Sequence, residues 1–412
     1  MSVSRKDRDV LRDLGKQVAE IAALPVQQET ISLWKALNGL KPVRPMVMID
    51  QIPWHEMEVD EELTLETEEE LCREVETTLR RTLYSWRHMG ADMVVEPVVE
   101  VPKVIHGEGF GIHTVERTAI TDPRNDVVGH AYVDQLKTEA DLRKIREPEV
   151  HLEEKATAEA EAKAHEIFDG ILTVRMQGRF PVFAPWDIIV QWRGPEHALL
   201  DLVDRPEFIH QIMSRLTEVH LSLLDQLEEQ GLLGFGQRTI HCTGAYTDEL
   251  PAPGFDPERA RARDLWTYGM AQMFSTVSPA VHQEFWLDYA VRWFSRFGLG
   301  YYGCCEPLHT KISIIRGVPH VRKISMSPWV EVEEGAEAMG GDFVFSRKPN
   351  PAFLAGGTWE PDRVERDLRD TLERCNRHGC PVEFILKDIS TVCYQPQRLW
   401  EWADIAMRVV ER

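Results

Sequence analysis

Residues 299–309 read L-G-Y-Y-G-C-C-E-P-L-H, an apolar run that ends in two adjacent cysteines, a glutamate and a proline. The run has the length of a buried strand, and Pro307 marks its end. In α/β barrels the chemistry takes place where the strands end. Because side chains alternate along a strand, we expect only one of Cys304 and Cys305 to face a barrel axis. This doublet is the first candidate for a functional site, and two inert buried thiols are the alternative.

Similar apolar runs recur along the chain and alternate with stretches of helical spacing. One such run ends at Asp50 and another ends at His241, while residues 258–272 have a helical pattern. The predicted strands cover residues 46–49, 93–99, 171–177, 235–241, 299–305, 321–326, 342–346 and 382–387. This alternation is typical of a (β/α)8 barrel of the TIM type, and a doubly wound sheet is the alternative.

The sequence predicts two segments in addition to the strands and helices of the barrel. Residues 1–40 have helical spacing and predict an N-terminal helical extension, so that residues 41–412 form the barrel. Residues 100–147 mix glycine, histidine and charge without clean periodicity. We expect a long insertion after the second strand there, with a small hairpin around residues 108–135.

Composition narrows the class of partner. The 412 residues include 43% hydrophobic residues, enough for a full core, and carry a formal net charge of −21. Such an acidic chain does not suit a nucleic-acid backbone or an anionic membrane surface. No run approaches the ~18 apolar residues of a membrane span. The charged N-terminus lacks an apolar signal core, and seven scattered cysteines fit reduced thiols, so we expect a cytoplasmic protein.

Two stretches resemble the uroporphyrinogen decarboxylase superfamily. Residues 184–212 read A-P-W-D-I-I-V-Q-W-R-G-P-E-H-A-L-L-D-L-V-D-R-P-E-F-I-H-Q-I, similar to a stretch of the family and the helix that follows it. Residues 271–285 read A-Q-M-F-S-T-V-S-P-A-V-H-Q-E-F, similar to the family segment before the strand that bears the cysteines here. With the strand order, the resemblance covers most of residues 40–410 and implies a (β/α)8 barrel.

The superfamily contains decarboxylases and zinc-dependent, cobalamin-linked methyltransferases, and the resemblance is closer to the second branch. The decarboxylase signature Arg-Gln-Ala-Gly-Arg has its counterpart at residues 50–54, which read D-Q-I-P-W. Both arginines are missing, and Asp50 would repel a polycarboxylate, so uroporphyrinogen is not the expected substrate.

The methyltransferase branch carries His-x-Cys at the end of the fifth strand and a further cysteine after the last strand. The matching places here are Gly303-Cys304-Cys305 and Cys393, so both cysteines are present and the histidine is replaced by Gly303. The resemblance therefore implies that Cys305 faces the barrel axis and holds a zinc ion together with Cys393. By the same register, Cys304 would pack as a small hydrophobic residue. The candidates for a further ligand are His241, Glu306 and Cys242. A catalytic zinc keeps one position open, where a substrate thiol binds as thiolate.

Other candidates lie near the predicted strand ends. Asp50 could take a proton or bind a cation, and its alternative role is a helix cap. Trp54 and Trp186 are candidates to wall a flat cofactor, although ordinary core tryptophans fit the pattern as well. Ser327 could donate a hydrogen bond into the pocket.

The first functional hypothesis is a corrinoid-linked, zinc-dependent methyltransferase. It would move a methyl group between a methylated donor or a methylcobalamin carrier and a thiol or pterin acceptor, with a corrinoid protein as partner. The second hypothesis is a metal-free decarboxylase of a small acid, with Asp50 or His241 as acid or base. The third is a non-catalytic partner of a corrinoid protein. The identity of donor and acceptor and the oligomeric state, with a homodimer among the options, stay open.

Overall fold

The described residues of the computed structural model, 3–120, 123–125 and 128–411, form a mixed α/β structure around parallel strands. We number the parallel strands in chain order. They are β1 Met46–Ile49, β2 Val98–Pro102, β3 Thr173–Gln177, β4 Trp266–Gly269, β5 Leu299–Tyr302, β6 Val321–Met326, β7 Val344–Arg347 and β8 Val382–Leu386. Most lie within or next to the runs predicted as strands.

Six of these strands form one parallel sheet in the order β1-β8-β7-β6-β5-β4, and β2 pairs in parallel with β3. The two sheets meet where Phe183, beyond β3, forms a parallel bridge with Gly269 of β4. At the other side the Asp92 N–H donates to the Val47 carbonyl of β1 at 3.1 Å. This arrangement is compatible with the predicted TIM-type fold, and it brings the carboxyl ends of the strands to one side.

Helices connect most of the strands. The chain begins with helices Arg5–Ala22 and Pro25–Asn38, where the sequence predicts a helical extension. The later helices cover Glu70–Met89, Glu154–Phe168, Pro185–Arg193, Pro195–Asp204, Pro206–Glu229, Pro279–His282, Asp288–Phe294, Ile312–Ile315, Val332–Met339, Ala352–Ala355, Pro361–Arg377 and Gln397–Val410, with a π-helical turn at Gln283–Leu287. None of the helices in the described ranges is long and apolar enough to cross a membrane.

The insertion after β2 contains the predicted hairpin. Glu116–Ala119 pairs antiparallel with Gly129–Tyr132, inside the range 108–135. Residues 121–122 and 126–127 of the predicted hairpin lie outside the described residues. A second short pair joins Ile105–His106 to His151–Leu152.

The prediction of the fourth strand is wrong. Residues 235–241 do not join the large sheet, because Thr239–Ile240 folds back on Thr243–Gly244 as a short antiparallel pair. The strand in that place is β4, inside the range predicted as helical, 258–272. β4 reads W-T-Y-G and suits a strand, since aromatic and β-branched side chains pack well on a pleated surface. The sequence predicted a helix there because the apolar residues around β4 have helical spacing.

A buried ion pair joins the middle of the sheet to this short pair. Lys323 on β6 and Glu383 on β8 are both fully buried, and Lys323 Nζ lies 2.7 Å from Glu383 Oε2. The Thr243 hydroxyl donates to the same carboxylate oxygen at 2.7 Å. The ammonium also donates to the Gly244 carbonyl at 3.0 Å. The interior between the strands is therefore polar at this level, with the two charges paired. Glu383 Oε1 is buried without a hydrogen-bond partner among the described residues.

Strand β5 ends in a turn at Gly303. The φ angle of Gly303 is 88°, in the left-handed region that favours glycine. A Cβ atom there would lie 2.4 Å from Leu308 Cδ1. Because the backbone turns at this residue, the alternation of side chains along β5 does not extend to Cys304 and Cys305.

We predict that Gly303→Ala destabilises the protein by about 1–3 kcal/mol, because alanine is strained at positive φ and its methyl group meets Leu308. The measurement is the free energy of unfolding by chemical denaturation. Gly357→Ala is the matched control, since no heavy atom lies within 4 Å of a Cβ built there. Equal unfolding free energies for the two variants would contradict the role given to this turn.

Candidate functional site

The carboxyl ends of β5 and β8 bring two thiols together with an ammonium and a carboxylate. Lys387 Nζ donates to Cys304 Sγ at 3.1 Å. Cys304 Sγ lies 3.4 Å from Cys305 Sγ, and Cys305 Sγ lies 3.4 Å from Asp388 Oδ2, so either neighbour can accept the one proton of Cys305. Lys387 Nζ is also 3.5 Å from Asp388 Oδ2. We call Cys304 and Cys305 the thiol pair.

The expectation that the two thiols face opposite sides of a strand is wrong. Their sulfur atoms touch, and both lie on the side of Lys387 and Asp388. The physical reason is the turn at Gly303, which ends the strand before the thiol pair. Cys304 is only 4% exposed and Cys305 is half-buried, so Cys304 is the inner thiol of the pair.

The contacts of the thiol pair shift the pKa values of its two cysteines in opposite directions. The hydrogen bond from Cys305 lowers the pKa of Cys304 well below that of a free thiol; burial opposes this, and His241 and Lys387 lower it further. The interaction with the anionic Cys304, together with burial, raises the pKa of Cys305. Burial alone would lower the pKa of Lys387, but the negative charges of Cys304 and Asp388 raise it. These contacts favour the thiolate form of Cys304 beside the Lys387 ammonium, with the proton kept on Cys305. A thiolate is the nucleophilic form of cysteine.

Glu306, a predicted zinc ligand, instead holds the backbone of the thiol pair. Its carboxyl group is fully buried, with Oε2 accepting the Cys304 N–H at 2.9 Å and Oε1 accepting the Ala271 N–H at 3.3 Å. Burial and the charge of Cys304 raise the pKa of Glu306 to about 7. This carboxyl group connects the segment after β4 to the segment after β5.

His241 lies in the turn of the short antiparallel pair, where its φ angle is 40°. Its ring centroid is 4.6 Å from that of Tyr268 and 5.1 Å from that of Tyr301. Burial lowers the pKa of His241, which favours the neutral imidazole. Its Nε2 atom is buried and makes no hydrogen bond within the part of the chain that the structure describes. The fold thus brings His241 toward Cys304, although not through the strand that the sequence predicted.

Cys393 and Asp50 have other partners. The Cys393 thiol donates to the Ala355 carbonyl at 3.4 Å, and Asp50 Oδ1 accepts the neighbouring Gln51 N–H at 2.7 Å. Across residues 3–120, 123–125 and 128–411, no group of three or more His, Cys, Asp or Glu side chains is placed to hold a metal ion. The predicted set of Cys305, Cys393, His241 and Glu306 therefore does not fit a zinc ion as these side chains stand.

The predicted pocket residues lie in three different surroundings. Trp186 is fully buried in the core, and its indole N–H donates to the Phe285 carbonyl at 2.9 Å. Trp54 and Gln51 line a cleft of about 640 Å³ near the end of β1, and the Arg81 guanidinium lies 4.9 Å from the ring centroid of Trp54. The Ser327 hydroxyl is buried and has no hydrogen-bond partner among the described residues. Of the three, Trp54 lines a cavity large enough for a ligand.

The sequence interpretation missed the two lysines at the strand ends, Lys387 and Lys348. Lys348 follows β7 and is 3% exposed. Its ammonium donates to the Ser346 hydroxyl at 2.6 Å and to the Tyr301 hydroxyl. Burial lowers the pKa of Lys348 to about 8. Lys387 directly follows the apolar run F-I-L, and Lys348 follows F-V-F after two polar residues. A lysine at the end of such a run is the signal that could have found them.

We predict that Lys387→Gln raises the pKa of Cys304, because the variant removes the positive charge that stabilises the thiolate. The pH midpoint of alkylation of Cys304 by iodoacetamide should move upward by about 1–3 units. The measurement is the rate of labelling against pH, read by fragmentation of the peptide that carries the thiol pair. Lys41→Gln removes the same charge from an exposed position and serves as the control. An unchanged midpoint in Lys387→Gln would refute the thiolate–ammonium pair.

Comparison with known proteins finds a likeness among solved structures. No protein-family model and no curated protein matches the sequence. A methyltransferase from Methanosarcina mazei has a similar structure with a TM-score of 0.50 and 11% sequence identity. The match covers 92% of this chain and 98% of that chain. At this identity the likeness concerns the fold, and it extends over nearly the whole of both molecules.

Proposed function

We propose that this protein is a methyltransferase whose reacting centre is the thiolate of Cys304. The observation that carries the proposal is the contact between Lys387 Nζ and Cys304 Sγ at 3.1 Å, at the carboxyl ends of parallel strands. The fold shared with a protein named as a methyltransferase supports the same class of reaction.

The finer part of the proposal follows the sequence resemblance. The parallel strands close into a (β/α)8 barrel of the uroporphyrinogen decarboxylase superfamily, and the methyl donor is methylcobalamin carried by a separate corrinoid protein. The order of the strands and the bridge between Phe183 and Gly269 support the barrel. A site at the carboxyl ends of barrel strands suits a substrate that approaches from outside the sheet.

The proposed transfer begins with attack of Cys304 Sγ on the methyl carbon. One sulfur–carbon bond forms as the bond between the methyl group and its donor breaks, and the electron pair of the broken bond stays with the donor. Cys304 becomes a neutral thioether, and no proton moves in this step. The ammonium of Lys387 and the thiol of Cys305 keep the sulfur ionised before the attack, which is the activation that a cysteine nucleophile needs.

The same contacts suit the second transfer, from Cys304 to the acceptor. An acceptor thiolate attacks the methyl carbon, and the sulfur of Cys304 leaves as a thiolate. A thiolate of lower pKa is a better leaving group, so Lys387 and Cys305 assist departure as well as attack. The second transfer restores the thiolate–ammonium pair.

In this proposal, side chains take the role that the resemblance assigns to zinc. In zinc-dependent transfer the metal keeps a thiol deprotonated at neutral pH. The described side chains form no three-ligand group, while Lys387 supplies a positive charge in contact with Cys304. The proposal therefore uses the ammonium for this purpose.

A second candidate is the decarboxylation of a small acid. Lys348 favours it, since this buried lysine has no carboxylate at ion-pair distance in the described part of the chain and donates to the neutral groups Tyr301 and Ser346. A cation without a paired anion can bind a substrate carboxylate. Release of carbon dioxide from small carboxylic acids, with loss in Lys348→Met, distinguishes this candidate from methyl transfer.

We predict that the purified protein takes a methyl group from methylcobalamin onto Cys304 and that Cys304→Ala does not. The loss should be complete, because alanine has no nucleophilic atom. Two measurements follow the reaction, namely the change in methylcobalamin absorbance and the mass of the peptide that carries the thiol pair.

Cys393→Ala is the matched control for this reaction, because its thiol contacts only backbone carbonyls among the partners that the structure gives it. We expect it to transfer the methyl group like the unmodified protein. Joint loss of transfer and of bound zinc in Cys393→Ala and Cys305→Ser would instead favour the zinc site that the resemblance implies. Unmodified protein that leaves methylcobalamin intact and stays unmethylated would overturn the proposal.

A further inference from the structure

We propose that the thiol pair is a chelating site for a single three-coordinate, thiophilic centre, and that a trivalent organic arsenical is the class of ligand it takes. The observation behind this is the distance of 3.4 Å between the two sulfur atoms. Two sulfurs bound to one atom at about 2.3 Å each, as in zinc thiolates, are at most ~4.6 Å apart. The thiol pair is already within that reach without rotation of the backbone.

The geometry disfavours the other way in which two thiols can be joined, a disulfide. Neighbouring Cα atoms are about 3.8 Å apart across a trans peptide, which is shorter than the ~4.4 Å lower end of the range seen in disulfides. Closing Cys304 onto Cys305 would therefore distort the backbone. An atom bound to both sulfurs avoids this strain, because it holds them further apart than a direct sulfur–sulfur bond does. The sulfurs can then stay near their present separation.

The two sulfur donors of the thiol pair suit a centre that needs only two bonds from the protein. Zinc and cadmium need three or four protein ligands, and the described residues provide no such group around the thiol pair. A trivalent arsenical needs only two bonds from the protein, since its third bond is to its own organic group. That group would point outward, because Cys305 is half-buried and the neighbouring Asp388 side chain is 48% exposed.

Binding by this site needs no oxidant or reductant. Two sulfur–arsenic bonds form and two arsenic–oxygen bonds of a hydrated arsenical break. The two oxygens leave as water, with one proton from Cys305 and one from solvent, while the two remaining protons are those of the arsenical itself. Arsenic stays trivalent. The anionic Cys304 forms the first bond, and Lys387 is left as a neighbouring ammonium.

The test is titration of the unmodified protein with phenylarsine oxide in the presence of excess glutathione, read as the mass of the intact protein. A monothiol competes for single cysteines but not for a chelating pair. We expect one adduct per chain, reversed by a dithiol such as dimercaptopropanol. Cys304→Ala and Cys305→Ala should each weaken binding by on the order of a hundredfold or more, because the second bond is lost.

The chain offers a matched control in a second pair of neighbouring thiols, Cys375 and Cys380, which are 0% and 6% exposed. Cys380→Ala should keep the adduct. No adduct on the unmodified protein, or an adduct lost only in Cys380→Ala, would overturn the proposal. This experiment uses no methyl donor, so its failure leaves methyl transfer by Cys304 standing, and failure of methyl transfer leaves the chelating site standing.

Discussion

The buried ion pair between Lys323 and Glu383 is the interaction on which the arrangement of the strands depends. It joins β6 to β8 across β7. The hydrogen bond from Thr243 to Glu383 also ties the short antiparallel pair, whose turn contains His241, to this ion pair. Removing one partner of such a pair costs about 3–5 kcal/mol, because the other charge is then buried alone. The hydrogen bonds from Lys323 and Thr243 fix where the turn with His241 lies, and so the ion pair also fixes one wall of the site.

The two lysines nearer the strand ends differ in what their charge does. Lys387 contacts an anion, so burial and attraction act on it in opposite directions and the ammonium is retained. Lys348 contacts hydroxyl groups, and burial acts on it with less opposition. The same part of the protein therefore contains a positive charge that is retained, on Lys387, and an amine that titrates close to neutral pH, on Lys348. The first suits stabilisation of a thiolate, and the second suits exchange of a proton or capture of an anionic group.

The sequence predicted those parts of the fold that depend on local patterns. The runs 46–49 and 321–326 became β1 and β6 with the same bounds, because short apolar runs between helices have few alternatives in an α/β chain. The run 235–241 failed because its pairing is decided by His241 and Cys242, both at positive φ, which apolar spacing does not reveal. The sequence did not indicate β4, because the apolar residues Ala262, Leu265 and Trp266 around its start are three and four positions apart, as on a helix face.

The candidate site was predictable in its location but not in its contacts. The sequence indicated the end of β5, and the thiol pair lies there. Which thiol faces inward depends on the backbone at Gly303, and the sequence interpretation treated this glycine as a missing ligand and not as a turn. The contact of Lys387 with Cys304 joins residues that are far apart in the chain, so no local pattern could indicate it.

The turn at Gly303 also makes two designs mutually exclusive in a chain of this fold. A histidine at this place would bring its Cβ atom against Leu308 and therefore favours an extended backbone. The strand would then run on and send the two following side chains to opposite faces. A glycine ends the strand and lets both of those side chains meet. A single residue thus selects between a metal ligand presented by a strand and a pair of adjacent donors presented by a loop. The residue before a Cys-Cys doublet is therefore a marker by which chains of this architecture can be sorted from sequence alone.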